Sequence, residues 1–192
     1  MQYRIIGDDD LQDENKHTAL IPSAQIAEEA GKRNEAKSAR RGEPPLHMND
    51  DMRRLSTPWS ISMVRAKQIN SSDLPAGVIL DAAAGSGSQL IALATELKRP
   101  ALGIELDGNI AVLCAANMHV ASDKEEIQRT LDRVIIGDGS DAEGAITAYW
   151  NSLRKSGTRA HPPIAMLHLD PARPRDAQNH HIDEMKPSLK SV

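Results

Sequence analysis

One segment constrains this chain more than any other: Val78-Ile79-Leu80-Asp81-Ala82-Ala83-Ala84-Gly85-Ser86-Gly87-Ser88-Gln89-Leu90. A short apolar run ends in an acid. A turn of small residues follows, and then Leu90, Ile91, Leu93, Ala94 and Leu97 recur at helical spacing. The pattern reads as a strand, a tight loop and a helix N-terminus. In open α/β sheets that junction binds nucleotide-like ligands, because loop N–H groups and the helix end point at the ligand. Glycine there permits positive φ and a close approach of the backbone. Two familiar loops do not fit. A dinucleotide fingerprint needs glycine or alanine where Leu90 stands, and a phosphate-binding P-loop needs a lysine that does not follow.

The alternation continues downstream. Ala101-Leu102-Gly103-Ile104-Glu105-Leu106-Asp107 is a second apolar strand ending in an acid, and Asp107 is placed to cap a helix from Gly108 to Val120. Ser122-x-x-Glu125 has capping-box spacing for a further helix or turn. Val134-Ile135-Ile136 is a third strand, closed by Gly137-Asp138-Gly139, and Asp141 caps a helix to about Leu153 that Gly157 stops. Ile164-Ala165-Met166-Leu167-His168-Leu169 is a fourth, ending at Asp170-Pro171-Ala172-Arg173. Alternating β and α elements predict an α/β fold with a mainly parallel, doubly wound sheet. Ligands of such sheets lie beyond the carboxyl ends of the strands. Each of the four ends there carries an acid: Asp81, Glu105, Asp138 and Asp170. Any one of them could be an ordinary cap or loop acid; the set carries the weight.

Residues 1–50 are polar and charged, with the run Asp8-Asp9-Asp10, a basic stretch around Arg40-Arg41 and Pro44-Pro45 as a linker. They read as a partly disordered or helical segment, with a helix around Ser23–Arg41, ahead of a domain over residues 51–192. Thr57-Pro58 opens a helix over 57–70, with Ile61, Val64 and Ile69 toward one face. Aromatic residues make up 2% of the chain and Phe is absent, so the core must be aliphatic. The net charge of −4 gives no global basic field for nucleic acid. The single cysteine, Cys114, cannot form an intrachain disulfide, fits a reducing compartment and reads as a buried thiol. With no long apolar stretch and no signal-like N-terminus, a cytoplasmic protein without membrane contact is expected. His168 reads as a satisfied strand residue. His180-His181 is the only histidine pair and has no ligand spacing, so no metal is expected.

Asp81-x-x-x-Gly85-x-Gly87 resembles motif I of the class I S-adenosylmethionine (SAM) methyltransferases, D/E-x-G-x-G-x-G, with Ala83 at the first glycine. The resemblance implies a Rossmann-like domain that holds SAM. Gly85 and Gly87 would approach its methionine part. Asp81 would organise the loop or meet the amino group, Glu105 would take the ribose hydroxyls, and Asp138 the adenine amine. Asp170-Pro171-Ala172-Arg173 resembles motif IV of amino-directed methyltransferases, D/N-P-P-Y/F/W, with Ala172 and Arg173 for the second proline and the aromatic. It implies that Asp170 and Pro171 orient an amine beside the methyl and that Arg173 meets a base or phosphate. Ser56-Thr57-Pro58-Trp59-Ser60-Ile61-Ser62-Met63-Val64-Arg65-Ala66 is similar to the helix that precedes motif I in prokaryotic methyltransferases with a THUMP-like domain. That group carries D-P-A-R at motif IV and neighbours the RNA cap guanine-N2 methyltransferases. RNA is the implied partner and a guanine exocyclic amine the implied acceptor.

A class I methyltransferase has seven strands, and four are legible here. The resemblance therefore implies a chain incomplete at its C-terminus, with Ile164–Leu169 as an open sheet edge prone to self-association or capture of a partner protein. The alternative function is a catalytically incomplete subunit that binds SAM or a partner without turnover. A NAD-dependent oxidoreductase is disfavoured by Leu90 and by Asp170-Pro171.

Overall fold

A computed structural model of the chain describes residues 4–6, 43–44, 46–69, 71–122, 131–159 and 161–170. Five strands form one sheet: β1 (Arg4–Ile6), β2 (Val78–Asp81), β3 (Ala101–Glu105), β4 (Arg133–Ile136) and β5 (Ile164–His168). Their spatial order is β1-β4-β3-β2-β5. The last four are parallel, and β1 runs antiparallel along β4, with Ile5 opposite Ile135. The parallel sheet expected from the alternation is therefore present. The added strand β1 comes from the segment expected to be disordered or helical.

Among the described residues the α-helices are α1 (Asp50–Leu55), α2 (Trp59–Lys67), α3 (Ser88–Leu97), α4 (Gly108–Ser122) and α5 (Ala142–Lys155). Side chains alternate across a strand, so strands β2 to β5 feed two cores. Ile79, Ala101 and Val134 join Leu90, Leu97, Ala111 and Cys114 on the face covered by α3 and α4. Val78, Leu80, Leu102, Ile104 and Ile135 meet Ala145, Tyr149 and Leu153 of α5 on the other. Strands buried on both faces are what a parallel sheet requires, and each fully buried aliphatic side chain contributes about 1.5–3 kcal/mol. Tyr149 supplies a buried aromatic to the second core, and its hydroxyl donates to Leu131 O at 2.7 Å. No helix among the described residues is long and apolar enough to cross a membrane.

The predicted elements fall close to their expected bounds, and Asp107 and Asp141 cap their helices through Asn109 N–H at 2.8 Å and Gly144 N–H at 3.0 Å. Two expectations differ from the structure. Helix α2 begins at Trp59 with Pro58 at the cap position, and Thr57 does not cap it. Its buried residues are Ser62 and Ala66, while Ile61 and Val64 are exposed, because small side chains let α2 lie close against α3. Ser122 is the last residue of α4, and the rest of its expected capping box lies outside the described residues, as does the expected helix over Ser23–Arg41.

Candidate functional site

The order of the parallel strands reverses between β2 and β5. After β2 the chain crosses to β3 and then β4 on one side, and it returns to add β5 on the other. A crevice beyond the strand ends at such a reversal is the usual ligand site of an open α/β sheet. The loop after β2 and the residues after β5 both open there.

The loop 82–87 is held by its own backbone. Ala82 N–H donates to His168 O at 3.2 Å, Ala84 N–H to Ile104 O at 3.0 Å, and Gly87 N–H to Ala84 O at 2.8 Å. Ala83 N–H donates to Asp81 Oδ1 at 3.1 Å and Gly85 N–H to Glu105 Oε2 at 2.9 Å. Gly85 has φ +53°, and no atom lies within 4 Å of the place a Cβ would take. Gly87 has φ +79°, and a Cβ there would stand 2.8 Å from Cys114 Sγ. The glycine at 87 thus lets the loop settle onto α4. Cys114 is fully buried, and its thiol pKa is pushed up by burial and by the charges of Asp81 and Glu105.

The four acids are brought to one rim, but they are not equivalent. Asp81 is 2% exposed, and both oxygens are engaged: Oδ1 by Ala83 N–H, Oδ2 by His168 Nδ1 at 3.0 Å. Of its two expected roles, organising the loop is the one this geometry matches. Glu105 is half-buried, with Oε2 on Gly85 N–H and Oε1 on Asp107 N–H at 2.9 Å. Burial raises its pKa above the ordinary glutamate range, against the lowering effect of the backbone donors at Asp107, Gly85 and Leu106. Asp138 Oδ1 accepts from Ser140 N–H at 2.9 Å and Ser140 Oγ at 2.8 Å, shaping the turn after β4. That turn reaches back across the site. A Cβ on Gly139 would lie 1.8 Å from Ala82 O, so only glycine permits the contact. Gly137 N–H donates to Glu105 O at 3.0 Å and ties the ends of β4 and β3.

Asp170 is exposed and stands beside Arg65 of α2 and Gln89 of α3. Its Oδ2 accepts from Gln89 Nε2 and from Thr57 Oγ1, the latter at 3.4 Å, and lies 3.7 Å from Arg65 Nη1. Arg65 in turn donates to Gln89 Oε1 at 2.6 Å. The hydroxyl of Thr57, expected at a helix cap, is therefore spent on the acid at the end of β5. Pro171 and Arg173 lie outside the described residues.

Two contributors were not read from the sequence as part of a site. Asn117, fully buried on α4, accepts His47 N–H at 2.6 Å and donates to His47 O at 2.9 Å and Ser86 O at 2.8 Å. It joins the 46–48 segment, α4 and the glycine loop. The available signal is an amide within the apolar run Ile110–Met118 of α4. His168 was read as satisfied, and it is, but by the motif acid itself. Among the described residues no group of three or more His, Cys, Asp or Glu side chains is placed to hold a metal ion. No family model matches the chain, and no curated protein or solved structure is matched by it.

Proposed function

We propose that this protein is a SAM-dependent N-methyltransferase acting on RNA, with a guanine exocyclic amine as the favoured acceptor. One observation carries the reading. Gly85 faces open space, and the Glu105 carboxylate is hydrogen-bonded to its N–H. A partly desolvated carboxylate beside an open glycine turn suits a vicinal diol, since each oxygen keeps lone-pair capacity beyond its backbone donor. Donation from two ribose hydroxyls would offset the burial that raises the Glu105 pKa.

The residues fit the cofactor. Gly85, Gly87 and Glu105 would hold it, with Asp138 at the neighbouring strand end and Asp81 and Ala83 keeping the loop in shape. When bound, SAM supplies an electrophilic methyl group on a sulfonium. Asp170, with Pro171 and Arg173 after it, would orient the amine. Proximity and alignment then lower the barrier, because attack on a sulfonium methyl needs little acid–base help. A second reading, a subunit that binds a partner without turnover, is favoured by the position of β5 at the end of the sheet order, with Leu167 half-exposed.

Calorimetric titration tests the reading. Wild type should bind SAM, and Glu105→Ala should bind it about 1.5–3 kcal/mol more weakly, the scale of charge-assisted hydrogen bonds. Equal affinity in the variant refutes the ribose assignment. NADH bound as tightly as SAM refutes the class.

A further inference from the structure

At the seam where the strand order reverses, the parallel register sets Asp81 of β2 opposite His168 of β5. Their side chains meet, with Nδ1 3.0 Å from Oδ2, and are 17% and 3% exposed for His168 and Asp81. A carboxylate only accepts, so Nδ1 carries the hydrogen, and in the neutral ring Nε2 is left with the lone pair. Asp81 is itself fixed, because its other oxygen accepts Ala83 N–H. Ala82 N–H to His168 O holds the backbone of β5 to the same loop. A buried acid therefore sets the tautomer and orientation of a partly exposed imidazole, as acid–histidine pairs do in proton-transfer sites.

The charged groups facing the ring are Asp81 from β2, Asp170 from the segment after β5, and Arg65 from α2. Burial, the largest influence, disfavours the charged ring. The hydrogen bond and charge of Asp81, helped by Asp170, outweigh it against the opposition of Arg65, so the His168 pKa is raised. Gln89 of α3 enters through its bonds to Asp170 and Arg65.

We infer that His168, oriented by Asp81, accepts the proton that the acceptor amine must lose. The inference rests on the methyl-transfer reading. The amine lone pair forms the N–CH3 bond, and the S–CH3 bond of the sulfonium donor breaks with its electron pair passing to sulfur. The methylated nitrogen, now cationic, gives its N–H proton to Nε2 of His168. The ring, partly exposed, passes that proton to solvent. Asp170 holds the amine and His168 discharges it, two residues apart on one strand end.

The test has two readouts on the full chain. Nitrogen-resolved NMR should find the neutral His168 ring protonated at Nδ1, with a pKa above the ordinary histidine value that falls in Asp81→Asn. Turnover of bulk RNA with radiolabelled SAM should rise with pH through that same pKa. His168→Gln should lower kcat about 100-fold, within the range of general-base effects, abolish that limb, and leave SAM affinity within twofold by calorimetry. Wild-type kcat and an unchanged pH limb in His168→Gln, with SAM bound, overturn the role of His168 alone. A hydrogen on Nε2 of the neutral ring overturns it as well. A wild type that binds no SAM overturns the methyltransferase reading and this inference with it, whatever the NMR titration shows.

Discussion

Replacing Asn117 with alanine should cost this fold about 3–4 kcal/mol. The side chain is fully buried and makes three hydrogen bonds of 2.6–2.9 Å, two to the backbone of His47 and one to Ser86 O. Each such bond contributes about 1 kcal/mol net, which gives about 3 kcal/mol for the set. Loss of the amide as partner to the His47 N–H and the two carbonyls adds a desolvation penalty wherever water does not replace it. The loss is a large share of the 5–15 kcal/mol that holds a typical domain. A urea titration followed by far-UV circular dichroism measures it. With a slope near 1–1.5 kcal/mol per molar urea, the midpoint should fall by roughly 2–4 M. Asn117→Asp should do no better, since it sets a carboxylate oxygen against the carbonyls of His47 and Ser86. A loss under about 1 kcal/mol for Asn117→Ala, at unchanged slope, refutes the view that this amide binds the 46–48 segment and the glycine loop into one unit.

Gly139→Ala should cost about 1–3 kcal/mol, because the new Cβ meets the Ala82 backbone carbonyl at 1.8 Å and forces one of the two loops to shift; an unchanged melting temperature would show that the two loops do not touch. Stability should decline as pH rises from about 6.5. The raised pKa of His168 means that the folded state holds a proton the unfolded state releases, so its contribution is full below the unfolded value and lost through the folded one. His168→Gln should flatten that decline in urea midpoints measured between pH 6 and 8. Asp170→Ala should remove methyl transfer to bulk RNA while SAM affinity stays within about tenfold, or roughly 1.4 kcal/mol; retained turnover would refute the amine-holding role.

What could be read from the sequence was whatever local pattern decides. Val78–Asp81 and Ala101–Glu105 are apolar runs of strand length between turn residues, and they fold as such. The caps at Asp107 and Asp141 act within three residues and were equally legible. The failures are non-local. Strand β1 is three residues long in a charged segment, and only β4, some 130 positions away, makes it a strand. The bond between Asp81 and His168 spans 87 positions, and that between His47 and Asn117 spans 70. Helix α2 misled in the opposite sense. Its larger apolar residues Ile61 and Val64 face outward, and the small Ser62 and Ala66 face in, because the closeness of α3 left room for nothing bigger.

The four strand-end acids show why a pattern can mark a site without assigning its parts. In sequence they look alike, one after each apolar run. In the fold their surroundings divide them. Asp81 is buried and spent on a loop N–H and an imidazole. Asp138 shapes a turn through one oxygen. Glu105 braces the glycine loop, yet its half-buried carboxylate can still accept at both oxygens. Asp170 alone is exposed and held by side chains of α2, α3 and the segment before α2 rather than by its own loop. Acids held by backbone keep their geometry when a ligand arrives. An acid held by Gln89, Thr57 and Arg65 can exchange those partners for a substrate donor at little cost, since exposed pairs contribute 1 kcal/mol or less. On the proposed methyl-transfer reading, that difference suits Asp170 and its neighbour His168 to the acceptor side, with Asp81, Glu105 and Asp138 as the fixed rim against which a nucleotide-like ligand would lie.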